Sequence, residues 1–115
     1  MREILFRGKH KQDNRWLQGD FHLGFMSGGA YINGYEVEPS TVGQYTGLTD
    51  KTGKRIFEGD IIRWKDWKDE YREREVQYDV EWGRFCVWLS GAESFGVNKH
   101  LSTDIEVIGN VYDKN

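Results

Sequence analysis

The chain has 115 residues, a net charge of -3, 30% charged and 15% aromatic side chains, and five Trp. That length holds one compact domain or two small lobes, and so aromatic a composition excludes a disordered chain. No apolar run approaches the ~20 residues that span a bilayer, and the single cysteine, Cys86, excludes an internal disulfide and fits a reducing cytoplasm.

Met1–Arg7 lacks the apolar stretch of a secretion signal, so no leader is expected. Ile4-Leu5-Phe6 opens the first predicted strand, and "GKHKQDN" (8–14) is a polar turn. Trp16-Leu17 and then Phe21, Leu23 and Phe25 continue as short strands, followed by a glycine-rich connection, "MSGGAYINGYEV" (26–37), with a strand around Tyr31-Ile32. Thr41–Thr46 and Asp60–Trp64 read as extended, and "IEVIGNVY" (105–112) as the last strand. Glycines are many and proline single, so tight turns outnumber stiff linkers.

The strongest alternation lies in "EVQYDVEWGRFCVWL" (75–89). Gly83-Arg84 fits a two-residue hairpin turn that sets Trp82 opposite Phe85 and Val80 opposite Val87. In this register residues 76, 78, 80, 82, 85, 87 and 89 face the core, while Cys86 and Trp88 face away. Upstream, Trp64, Trp67 and Tyr71 stand at i, i+3 and i+7, which fits a short helical excursion or a long hairpin tip.

"VGQYTGLTDKTGKRIFEGDIIRW" (42–64) superficially resembles a phosphate loop. Five residues separate Gly47 from Gly53, Lys54 is followed by Arg55, and the next element is a strand, so a P-loop is excluded. Asp50–Lys54 is instead predicted as a turn, with Gly53 in a left-handed conformation. "RWLQGDFHL" (15–23) echoes "RIFEGDIIR" (55–63). The shared Gly19-Asp20 and Gly59-Asp60 pairs are assigned as structural turns, Gly permitting a bulge and Asp bonding back to backbone N–H groups.

Catalytic signals are thin. His10, His22 and His100 are scattered with no metal-ligand spacing, and Cys86 has no nucleophile context, so a surface or interface thiol is expected. No catalytic, metal or cofactor residues are assigned. Carboxylates at Asp20, Asp60 or Asp79 leave only a weak acid–base alternative. Trp64, Trp67 and Trp88 are the candidate protein interface, Trp88 the foremost. Arg7, Lys9, Lys11 and Arg15 in one basic turn, with Lys51, Lys54 and Arg55 in another, are the candidate nucleic-acid contacts, although residues 65–75 hold four basic and five acidic side chains, a poor phosphate track.

"RGK" (7–9), the central "VGQYTGLTDKTGKRIFEGDII" (42–62) and the terminal "EVIGNVY" (106–112) closely resemble the YopX family of phage and prophage proteins. The resemblance implies an all-β protein with a small SH3-like barrel over residues 46–115 and a smaller β-rich part over 1–45. It also implies a phage or prophage origin and a place in the bacterial cytoplasm. It carries no activity, cofactor or catalytic residue. The expected role is a non-catalytic binding or interaction module. Its partner is another protein or a second copy, with nucleic acid the alternative and no membrane contact.

Overall fold

The computed structural model describes residues 3–90, 93–97 and 104–113. The fold is all-β: the described residues form thirteen short strands and one 3-10 turn, Pro39–Thr41, with no α-helix. The chain divides into two compact units, Met1–Tyr45 and Thr46–Asn115.

In the first unit, β1 (Phe6–Lys9) pairs antiparallel with β2 (Trp16–Gly19) and with the start of β6 (Gly43–Thr49). A second sheet joins β3 (Phe21–Leu23), β4 (Ala30–Ile32) and β5 (Tyr35–Val37) in that order. Asn33 and Gly34 link β4 to β5 with φ of 52° and 85°. Positive φ at both central residues makes this a type I′ hairpin, so the expected glycine-rich connection is in fact a paired turn. Ala30, Ile32 and Val37 form the core, packed by Phe6, Leu17, Phe21 and Val42. Gly19 lies where a Cβ would come within 2.2 Å of the Asn33 side chain. Asn33 Nδ2 donates to the Gln18 carbonyl and its Oδ1 accepts from the Asp20 N–H, closing the corner between β2 and β3.

In the second unit, the end of β6 lies beside β7 (Arg55–Phe57). One three-stranded sheet runs β13 (Glu106–Asn110), β8 (Asp60–Lys65), β9 (Tyr71–Glu75), and another runs β10 (Gln77–Asp79), β11 (Arg84–Ser90), β12 (Glu93–Gly96). Ile62 and Trp64 of β8 join Ile56, Val76, Val87, Ile105 and Val107 in one core, with Leu48, Phe85 and Val97 against it. Each buried aliphatic side chain contributes about 1.5–3 kcal/mol. Among the described residues, strand pairing closes no sheet into a barrel.

Two carboxylates organise this unit. The Asp50 carboxylate accepts from the Thr52 N–H (2.9 Å), the Thr52 hydroxyl (2.7 Å) and the Lys54 N–H (2.9 Å). Its other oxygen accepts from the Val107 N–H (2.9 Å), so one side chain shapes the turn and ties it to β13. Gly53 has φ of 91°, as the turn reading requires. Asp60, 1% exposed, accepts from the Phe57 N–H at 2.7 Å, which fixes the Glu58-Gly59 turn between β7 and β8.

The 75–89 register differs from the expectation. Asp79 pairs with Arg84, Tyr78 with Phe85 and Gln77 with Cys86, across a four-residue loop. The Asp79 carboxylate accepts from the N–H groups of Glu81 and Trp82, and the Asp79 carbonyl accepts from Gly83 N–H, ending the strand before Val80. Val80 and Trp82, predicted in the core, are therefore 86% and 73% exposed, and Tyr78 is also exposed. Cys86, predicted outward as an accessible thiol, is buried. Burial, with the Asp79 carboxylate nearby, pushes its pKa up. The Leu89 side chain lies outside the described residues.

Candidate functional site

Alternation along β8 turns Asp60, Ile62 and Trp64 inward and leaves Arg63 and Lys65 on the outer face. The register sets Lys65 opposite Tyr71 and Arg63 opposite Glu73. Tyr71 is 63% exposed, with the Arg63 guanidinium 5.1 Å and the Lys65 ammonium 5.3 Å from its ring centroid. Carboxylates hold the cations in place. Arg63 bonds Glu106 at 2.9 Å, and Lys65 lies 3.4 Å from Asp69, whose hydrogen bond and charge hold the ammonium above the ordinary lysine range.

Asp66 builds the hairpin tip. One of its oxygens accepts from the Lys68 and Glu70 N–H groups, and the other from Arg72 Nε at 2.9 Å. These contacts, led by the Glu70 N–H, hold the Asp66 carboxyl below its ordinary range. Asp69 takes φ of 63°. The tight tip projects Trp67, 88% exposed, with the Lys68 ammonium 5.0 Å from its ring. A cation on an exposed ring contributes about 0.5–1 kcal/mol, enough to bias its orientation. A second aromatic group stands on the β10–β11 loop, where Arg84 lies 5.7 Å from the Trp82 ring and Tyr78 meets Phe85 edge-on.

The structure separates the residues predicted for a protein interface. Trp64 is 6% exposed and belongs to the core, so it does not present a surface. Trp67 is exposed as expected, and Trp88 is half-buried. The segment is the hairpin tip rather than the helix of the two expected alternatives, and no common face unites its aromatics: strand parity buries Trp64 and frees Tyr71, while Trp67 stands in the tip loop between the strands. Tyr71 and Trp82 were not singled out as interface residues; an aromatic directly across a strand pair from Lys, and one following an Asp that ends a strand, are the signals that mark them.

The basic residues also diverge. Arg7 is 7% exposed with its guanidinium 4.6 Å from the Trp16 ring, which removes it from a surface role as a phosphate contact. Lys9 lies over the same ring. Lys11 pairs with Glu36 and Arg15 with Asp13. Lys51, Lys54 and Arg55 are exposed around the Asp50 turn. The first basic turn belongs to one unit and the second to the other.

Among the structural turns, Gly59 has φ of 93°, and a Cβ there would meet Tyr112 at 2.7 Å. Asp60 bonds back to the backbone as expected, whereas Asp20 is exposed and Asn33 supplies the side-chain oxygen at its corner. Among the described residues, no three His, Cys, Asp or Glu side chains group as metal ligands, and no helix is long and apolar enough to cross a membrane. His100 lies outside the described residues.

No curated protein sequence matches the chain. The sequence model of the family described as YopX protein matches residues 26–115, most of the chain. Hairpin, Asp50 turn, β8 and β13 all fall inside that match, and the chain belongs to the YopX family.

Proposed function

We propose that this protein is a non-catalytic binding module that engages another protein through the aromatic outer face of its β8–β9 hairpin. The observation that carries this reading is exposed Tyr71 flanked by Arg63 and Lys65, both fixed by carboxylates, beside exposed Trp67 with Lys68 over its ring. Trp, Tyr and Arg dominate the energetic centres of protein interfaces. Charge selects the partner class. Arg63–Glu75 carries five basic and five acidic side chains, so the face lacks the net positive field that draws nucleic acid. The reading as a binder rather than an enzyme rests on Asp60 and Asp79, whose carboxylates are engaged by backbone N–H groups in turns.

The two three-stranded sheets around one core support a small SH3-like arrangement in residues 46–115. A phage or prophage origin and action in the bacterial cytoplasm complete the proposal, on the strength of the motif resemblance. The test is affinity capture from host lysate with the wild type, a W67A/Y71A variant and a K51E/K54E/R55E variant, each checked for native fluorescence. The proposal expects a specific partner lost only with W67A/Y71A, and equal recovery by all three would overturn it.

A second reading is favoured by one observation, the exposure of Lys51, Lys54 and Arg55 within five residues. A nucleic-acid contact there requires an electrophoretic shift at low salt that disappears in K51E/K54E/R55E and weakens steeply as salt rises. Absence of a shift removes this reading.

A further inference from the structure

From Phe21 to Tyr35 the sequence contains no Asp, Glu, Lys or Arg. This charge-free stretch holds the β3–β4 hairpin, and three of its apolar side chains are open to solvent. Leu23 is 68% exposed, and Phe25 and Met26 at the tip are 98% and 91% exposed. Three neighbouring apolar side chains so fully in water are not explained by the unit's own core, which takes up Phe21 and Ile32 from the same strands.

The backbone beside them is also open. The pair 20–33 is bonded through Asn33 N–H to the Asp20 carbonyl, and 24–29 through Gly24 N–H to the Gly29 carbonyl. Antiparallel ladders alternate, so Asp20, His22 and Gly24 direct their amides to β4, and Phe21 and Leu23 direct theirs away. No strand pairs with that outer edge of β3 among the described residues. Edge strands are ordinarily blunted by Lys, Pro or bulges, and Phe21-His22-Leu23 carries none of these.

We infer that the outer edge of β3 pairs with β3 of a second copy, forming a two-fold dimer with a continuous sheet across the first units. The register is self-consistent. A two-fold axis at His22 sets Phe21 opposite Leu23 of the second copy, and these are the residues whose amides point outward, so all four edge groups on each chain find partners. Phe21 and Leu23 share one face, so each Leu23 covers the Phe21 that packs on Phe6 at 5.3 Å between ring centroids. Phe25 and Met26 then lie along the β2–β3 corner of the second copy. With no charged side chain between residues 21 and 35, two copies meet without like-charge repulsion there. A membrane surface fits less well, because the stretch is bounded by Asp20 and Glu36 and lacks the flanking cations that anionic lipid attracts.

Sedimentation equilibrium of the full chain from about 1 µM to about 1 mM tests this. The expected result is a monomer–dimer equilibrium whose Kd rises at least tenfold in Leu23→Lys, a solvent-facing change that leaves the protomer folded. Leu23→Pro, which removes the Leu23 side chain and an outward N–H but no β3–β4 ladder donor, should weaken it comparably, and F25S/M26S several-fold. A strictly monomeric protein over the whole range overturns the inference. So does a dimer indifferent to both Leu23 variants, or a monomer that co-sediments with phosphatidylcholine vesicles through Phe25 and Met26.

Discussion

Replacing Asp50 by Ala removes a carboxylate that is only 5% exposed and accepts four hydrogen bonds. Hydrogen bonds to a charged group contribute about 1.5–3 kcal/mol each, and a buried donor left unsatisfied costs about 1–3 kcal/mol. The Thr52 and Lys54 donors sit at an exposed turn and regain water, so their loss is partly offset. The Val107 N–H is buried and regains nothing. The expected destabilisation is about 3–4 kcal/mol, a large part of the 5–15 kcal/mol typical of a small domain. Asp50→Asn should fall between, at about 1–3 kcal/mol, because its amide nitrogen must face either Val107 N–H or the turn donors. Urea unfolding followed by Trp fluorescence reads both. The pH arm is independent. Burial raises the Asp50 carboxyl, but the Val107 N–H, the Thr52 hydroxyl and the Lys54 and Thr52 N–H groups outweigh it, and the net shift is downward. A lowered folded-state pKa gives stability that is complete above the unfolded value of about 4 and lost as pH falls through the folded value. Wild type should therefore lose more stability than Asp50→Asn below pH about 4. An Asp50→Ala protein within about 0.5 kcal/mol of wild type would refute the argument.

Gly59→Ala should destabilise by about 1–3 kcal/mol, because the left-handed φ is strained and the new Cβ meets Tyr112. Gly53→Ala, with the same φ and open space, should cost only about 1 kcal/mol, so equal losses would contradict the Tyr112 contact. Trp64→Ala should cost about 3–5 kcal/mol and Trp67→Ala less than about 1, measured by the same unfolding curves; the reverse order would contradict the burial pattern. The buried Cys86 thiol should react with iodoacetamide far more slowly in the native protein than in urea, and equal rates would place it at the surface.

Local patterns carried the fold where one face of a strand is buried and a turn is short. The extended Asp60–Trp64 segment, the Asp50–Lys54 turn and the last strand were legible for that reason, whereas the inward side of Trp64 was not. The 75–89 hairpin was misread because Gly83-Arg84 has the composition of a two-residue turn, while the decisive group is the Asp79 carboxylate that stops the strand earlier. Asn33-Gly34 carried the strongest short hairpin signature in the chain and was hidden by the glycines around it. The Asp50 contact with Val107 spans 57 residues, and no local pattern encodes it. The Trp64–Trp67–Tyr71 spacing fitted one face of a helix as well as a hairpin tip, so Trp67 was named from the sequence but exposed Tyr71 and buried Trp64 were told apart only once strand pairing fixed their sides.

The central claim is that the β8–β9 hairpin binds a protein partner, and its most direct test is the W67A/Y71A capture from host lysate. The account predicts a partner retained by wild type and by K51E/K54E/R55E, and lost by W67A/Y71A with an unchanged unfolding curve. Recovery of the same partner at wild-type levels by W67A/Y71A, or its loss only in K51E/K54E/R55E, would contradict it.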